Sequence, residues 1–90
     1  MLREQLPLPQ PYVAPRTPTE MSLAEIWSTV LSMDCVGIDD RYEDLGGDSL
    51  QATIIFSLIE ETFRIALPMA TLVDASTIAE LALRIDRITK

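Results

Sequence analysis

The spacing of apolar side chains divides this 90-residue chain into segments of different character. Leu23, Ile26, Trp27, Val30 and Leu31 recur at i, i+3, i+4, i+7 and i+8, which is one face of an amphipathic helix. Thr17-Pro18-Thr19-Glu20 ahead of them has the form of a capping box, with proline at the first helical position. The pattern predicts a helix over 18–33, with Trp27 in the core rather than stacking on a ligand. From Asp34 to Asp48 the period disappears. Val36, Ile38, Tyr42 and Leu45 stand apart among charged residues and read as pegs pinning a loop over the core. The period returns over 49–63, where Ala52, Ile55, Ile59 and Phe63 share one face and Phe56 lies at its margin. Leu67-Pro68 closes that segment, and Met69 to Asp74 is long enough for one short helical turn with Leu72 and Val73 pointing inward. Ser76 is placed to cap a last helix over 77–88, with Ile78, Leu81, Ala82, Ile85 and Ile88 on its apolar face. No strand alternation and no internal repeat occurs. The predicted fold is all-α: three main helices and a short one, with a long first loop.

Five of the six prolines (Pro7, Pro9, Pro11, Pro15 and Pro18) lie in the first 18 residues. Such a tract forms neither helix nor central strand, and reads as an extended arm whose distal part is a flexible leader. Leu6, Leu8, Tyr12 and Val13 give it apolar anchors, for a neighbouring domain or for this one. The chain therefore divides into an arm, 1–17, and a helical domain, 18–90. So long an arm before so small a domain fits a piece of something larger, or a descendant of one.

The junction between loop and second helix is Leu45-Gly46-Gly47-Asp48-Ser49-Leu50. Paired glycines suit a sharp turn, and a serine following Asp suits a helix start. Ser49 is then either a helix cap and nothing more, or a surface hydroxyl where the helix N-terminus favours an anion such as phosphate. The loop's acids, Asp34, Asp39, Asp40, Glu43, Asp44 and Asp48, have only Arg41 as a nearby counter-charge. They form either a solvated loop or an acidic rim that steers basic partners to Ser49. Their spacing is not that of an EF-hand. Leu50 and Ile54 fall off the core arc, one turn apart and directly after Ser49. Their position reads as a partner footprint.

Composition narrows the chemistry. Hydrophobic content of 48% is enough for a packed core. A net charge of −7 offers no basic patch to nucleic acid or to an anionic membrane. No apolar run approaches the roughly 18 residues of a membrane span. The single cysteine, Cys35, excludes an internal disulfide and fits a reducing, cytoplasmic location. The absence of histidine removes His-based triads and most zinc sites. Lys90, the only lysine, sits at the terminus, far from a serine it would have to activate. Gly47-Asp48-Ser49-Leu50 matches the block of a lipase-like hydrolase family by coincidence, since those enzymes need a larger α/β fold and a distant histidine. Ser49 is better read as a substrate for another enzyme, and the chain as a non-enzyme.

Leu45-Gly46-Gly47-Asp48-Ser49-Leu50 resembles the 4'-phosphopantetheine attachment motif of carrier proteins. Tyr12-Val13-Ala14-Pro15-Arg16-Thr17-Pro18-Thr19-Glu20 is similar to the entry segment of peptidyl carrier domains in non-ribosomal peptide synthetases. Val36-Gly37-Ile38-Asp39-Asp40 is similar to their first-loop signature, and Leu67-Pro68 and Thr77-Ile78-Ala79-Glu80-Leu81 to segments around their third and fourth helices. Leu6-Pro7-Leu8-Pro9 resembles the linker motif by which an upstream adenylation domain holds the carrier. Two departures stand out: Tyr42-Glu43 replaces a common aromatic pair, and Asp48 stands where many peptidyl carriers have histidine. The resemblance implies a four-helix carrier bundle with 4'-phosphopantetheine on Ser49, flanked by Gly47 and Asp48. A phosphopantetheinyl transferase using coenzyme A and Mg²⁺ would attach it. An adenylation domain or ligase would load the arm's thiol, not Cys35. Condensation, epimerisation, thioesterase or tailoring domains would unload it, with Leu50 and Ile54 as contacts. The chain would act as a monomer or within a larger synthetase. The remaining alternatives are a stand-alone acyl carrier of a fatty-acid or polyketide route, and an unmodified helical interaction domain that binds through its proline arm.

Overall fold

A computed structural model describes residues 2–89. Met1 and Lys90 lie outside the described residues. Four α-helices make the bundle: α1 (Pro18–Leu31), α2 (Ser49–Phe63), α3 (Thr71–Asp74) and α4 (Ile78–Thr89). Short 3-10 turns occupy Arg3–Gln5 and Glu43–Leu45, and the described residues contain no strand. No helix among them is long and apolar enough to cross a membrane.

α1 packs on both α2 and α4 and is the centre of the bundle. Its Leu23 and Trp27 are fully buried, while Ile26, Val30 and Leu31 are half-buried at the edges of the stripe. The helix ends two residues before its predicted limit. Ser32 takes the left-handed conformation (φ 56°), its N–H donates to Thr29, and the Met33 N–H reaches back to Ser28. This is a Schellman stop, and burial of Met33 under the first turn of the loop fixes it there. At the other end Thr17 Oγ1 accepts from the Glu20 N–H at 3.1 Å, as the capping pattern predicts. The Glu20 carboxylate extends one residue further back, accepting from the Arg16 N–H at 2.8 Å and from its guanidinium at 3.0 Å.

In α2 the buried stripe is Ala52, Ile55, Phe56 and Ile59. Phe56 is core and Phe63 only half-buried, the reverse of the predicted order. The stripe follows i, i+3, i+4, i+7, and Phe63, one turn further on, packs only partly against the core. In α3 the inward positions are held by Thr71 and, one turn on, Ala75, while Leu72 is half-buried and Val73 is 84% exposed. The expectation of an inward Val73 is therefore corrected: a four-residue turn has room for one buried column. α4 is capped by Thr77, not Ser76. The Thr77 hydroxyl accepts from the Glu80 N–H at 3.2 Å, and the Ser76 carbonyl is taken by the Tyr42 N–H at 2.9 Å. Ile78, Leu81, Ala82 and Ile85 are buried as predicted, but Ile88, in the last turn of α4, is exposed.

The proline arm lies on this domain rather than standing off as a flexible leader. Leu6, Leu8 and Val13 pack against the core, and the Val13 carbonyl accepts from the Ile38 N–H at 3.0 Å. Arg3 grips the fully buried Asp40 with two 2.6 Å bonds, one from Nε and one from a terminal guanidinium nitrogen. Arg3 thus supplies the counter-charge that local sequence assigned to Arg41. Arg41 pairs instead with Glu43 at the surface.

Glu20 carries a pH dependence. Hydrogen bonds from the Arg16 side chain hold its carboxyl below the usual range, against the opposing effect of burial. A carboxylate with a depressed folded pKa adds stability that is complete above its unfolded value, about 4.3, and is lost as pH falls through the folded one. Glu20→Gln is expected to lower stability by about 1–2 kcal/mol near pH 7. The difference from wild type should shrink as the pH falls below about 4, as urea unfolding at several pH values would measure.

Candidate functional site

The turn into α2 is built around its glycines. Gly46 ends the Glu43–Leu45 turn at φ 80°, and its N–H donates to the Glu43 carbonyl at 3.1 Å. Gly47 has no unusual φ, but a side chain there would run into the Tyr42 ring. Paired glycines therefore serve two needs, one conformational and one steric.

Asp48 caps α2. Its carboxylate accepts from the Gln51 N–H at 2.8 Å, and the Gln51 side-chain oxygen accepts from the Asp48 N–H at 3.2 Å. The cap role therefore falls on Asp48, and Ser49 is not the cap. It is the first helical residue, it is exposed, and its hydroxyl makes no hydrogen bond among the described residues. The Ser49 and Leu50 amides precede the first helical bond, from Ala52 to the Asp48 carbonyl at 3.0 Å. They present the positive end of the α2 dipole beside the hydroxyl.

A groove of about 490 Å³ opens beside Ser49, between the turn, α2 and α3. Gly47 and Asp48 line it on one side, Ala52, Met69, Leu72 and Val73 on the other. An exposed hydroxyl, unpaired helix amides and an adjacent half-apolar groove suit a phosphodiester-linked arm. Leu50 (71% exposed) and Ile54 (45%) lie outward, as their spacing predicts. The structure adds exposed Met69 and Val73, which line the groove. Thr53 Oγ1 donates to the Ser49 carbonyl at 3.0 Å and lies 3.3 Å from Met69 Sδ. No periodicity marks Val73 in so short a helix, or Met69 in the turn before it.

The acidic rim is smaller than its sequence suggests. Asp40 is buried against Arg3, and Asp34 accepts from the Arg3 N–H at 2.7 Å. Glu43 and Asp48 reach the groove. Cys35 is half-buried; burial first, then the charge of Asp34, pushes its thiol up, which disfavours the thiolate. Of the linker residues, Leu6 and Leu8 lie against the bundle and Pro7 and Pro9 face outward.

Fold and turn together are those of a carrier domain. The model of the family described as "Phosphopantetheine attachment site" matches residues 22–85. The dimodular nonribosomal peptide synthase of Bacillus subtilis (strain 168) is 42% identical over 89 residues, which is 93% of this chain and 4% of that protein. The solution structure of an active-site mutant peptidyl carrier protein superposes with a TM-score of 0.85 at 32% identity, covering 91% of each chain. The peptidyl carrier protein solved with the phosphopantetheine transferase Sfp and coenzyme A gives 0.81 at 34% identity, covering 84% of this chain and 99% of that one. The chain belongs to the phosphopantetheine-attachment family, whose members carry 4'-phosphopantetheine, and is a carrier domain of the kind found in non-ribosomal peptide synthetases.

The turn makes a contrast testable. Gly47→Ala is expected to cost about 1–3 kcal/mol by overpacking against Tyr42, and Gly46→Ala about 1–2 kcal/mol through its left-handed backbone. Urea unfolding of both variants measures the two costs, and only Gly47→Ala should also perturb the Tyr42 ring signals in NMR spectra.

Proposed function

We propose that Ser49 is the attachment point of 4'-phosphopantetheine, with Gly47 and Asp48 shaping the turn that offers it, and that the chain carries substrates without catalysing a reaction. One observation carries the reading: the cap role falls on Asp48, which leaves the Ser49 hydroxyl exposed and unengaged at the α2 N-terminus. When attached, the group supplies a thiol that holds aminoacyl, peptidyl, aryl or acyl intermediates as thioesters. This chain's residues do the presenting. Asp48 and Gln51 fix the helix start, and the first α2 amides favour the phosphate charge. The partners implied are a phosphopantetheinyl transferase using coenzyme A and Mg²⁺, an adenylation domain or ligase, and condensation, epimerisation, thioesterase or tailoring domains. A cytoplasmic setting, as a monomer or as one unit of a longer synthetase, fits that set.

Residues 18–90 act as the carrier domain and 1–17 as its arm. Leu50 and Ile54, joined by Met69 and Val73, form the surface that successive partners touch. Leu6, Pro7, Leu8 and Pro9 are the contact for an upstream adenylation domain. Using that contact requires Leu6 and Leu8 to leave their half-buried places on the bundle.

Incubation with coenzyme A, Mg²⁺ and a broad-specificity phosphopantetheinyl transferase is expected to add one phosphopantetheine to the wild type and none to Ser49→Ala, as read by intact mass. An unmodified wild type, folded and helical, would refute the carrier reading of Ser49. Ile54→Asp should keep the fold, because the side chain faces solvent, while raising KM for the transferase about tenfold through loss of apolar contact. Unchanged kinetics would remove Ile54 from the partner surface.

A further inference from the structure

We propose that Tyr42 is the positioning residue for Ser49. Its phenol sets the peptide that carries the serine, and so sets the rate at which the hydroxyl is modified. The proposal rests on Ser49 as the attachment point.

Tyr42 is buried at the meeting point of three parts of the fold. Its N–H donates to the Ser76 carbonyl at 2.9 Å, next to the start of α4. Its ring meets Trp27 of α1 edge to face, with centroids 5.4 Å apart and planes at 80°. The Trp27 indole N–H finds no acceptor among the described residues, so burial and this ring contact hold that side chain. The Tyr42 carbonyl accepts from the Leu45 N–H at 3.2 Å and from the Gly47 N–H at 3.4 Å. The backbone of Tyr42 is thus fastened to the body of the domain, and the glycine turn is fastened to Tyr42.

The side chain then reaches forward past the turn. Gly47 lies so close to the ring that a Cβ would overlap it, and the phenol donates to the Asp48 carbonyl at 2.7 Å. That carbonyl belongs to the same peptide plane as the Ser49 nitrogen. It takes two donors, the Tyr42 hydroxyl and the Ala52 N–H. One comes from α2 itself, so only the phenol ties this plane to something outside the helix. Gly46, Asp48, Ser49 and Leu50 are all exposed and give the segment no packing of its own. Leu45 before it and Ala52 after it are the nearest buried side chains. Burial, and secondarily the charge of Asp48, pushes the phenol up, so it remains a donor throughout the neutral range.

Position matters because the modification is a displacement at phosphorus. A bond forms between Ser49 Oγ and the phosphorus that bears the pantetheine, and the pyrophosphate P–O bond of coenzyme A breaks. The nucleotide half leaves as adenosine 3',5'-bisphosphate, and the serine proton passes to a base of the transferase. Reacting atoms must be held in line, and a displacement of about 1 Å can cost about a hundredfold. Without the phenol, the Asp48–Ser49 peptide gains alternative orientations and the competent fraction falls. Loss of one neutral hydrogen bond corresponds to a fall of about three- to tenfold. The docking surface at Leu50, Ile54, Met69 and Val73 lies on other side chains, so affinity for the transferase should hold.

The test is Tyr42→Phe, which keeps the ring against Gly47 and Trp27 and removes only the hydroxyl. Initial rates of phosphopantetheinylation are measured by intact mass over a range of carrier concentrations, with saturating coenzyme A and Mg²⁺, well below the melting temperature of both proteins. The expected result is a kcat lower by about three- to tenfold with KM within about twofold of wild type. The Ser49 and Leu50 amides of the variant should also exchange hydrogen faster while α1 and α4 are unchanged. Ile54→Asp in the same assay should move KM instead. A kcat equal to wild type, or a loss confined to KM, overturns the proposal and leaves the phenol a stabilising contact only. A wild type that gains no mass would instead refute the reading of Ser49, before Tyr42 is at issue.

Discussion

The domain depends on pinning the long segment between α1 and α2 across the bundle. Residues 32–48 have no helical period and cross the core with little regular hydrogen bonding of their own. Five side chains hold them down: Met33, Val36, Ile38, Tyr42 and Leu45, all buried. The backbone is stitched to what lies on either side. Ile38 donates to Val13 of the arm, Ala79 of α4 donates to Ile38, and Tyr42 donates to Ser76. These are long-range bonds, so the loop's position follows from the helices being assembled rather than from any local preference. The glycine turn and Ser49 sit at the far end of that segment, where it enters α2.

At that end, small assignments have large consequences. Because Asp48 takes the cap, the next residue keeps its hydroxyl for other use. Because Gly47 has no side chain, the Tyr42 ring can lie beneath the turn and steady it. Because α3 is a single turn with one buried column, Val73 is turned out to solvent at the groove instead of into the core. The bundle leaves Ser49 exposed at the start of α2, beside a groove that it lines together with exposed Met69 and Val73.

The charges are arranged along the same division. Among the described residues two acids are buried, Asp40 and Glu20, and each is paired with an arginine from the arm, Arg3 and Arg16. The Arg3–Asp40 pair is well shielded, whereas Arg16 is largely exposed, so solvent weakens the second. The arm is therefore part of the electrostatic structure of the domain, while most of the remaining acidic excess faces water. Contacts of this kind hold through a few directed bonds and half-buried side chains, and give a less permanent grip than a buried apolar plug.

The sequence by itself determined the elements and the chemistry that depends on local rules. Helical periodicity placed α1, α2 and α4, because an amphipathic helix must present one face to the core. The Thr17 cap, the glycine turn and the outward Leu50 and Ile54 follow from spacing along the chain, as does the serine at a helix start. The tertiary structure decided what spacing cannot carry. The neutralisation of Asp40 comes from Arg3, 37 positions away, and the docking of the arm depends on a surface built by the folded loop. Phe56 takes the buried place and Phe63 the half-buried one once α2 is packed in the bundle. Val73 faces out because α3 is too short to have a period. The hold of Tyr42 on the Asp48 carbonyl exists only once the turn has closed over its ring. Periodicity reports which face of an element is buried; only assembly brings together side chains and backbone from separate elements.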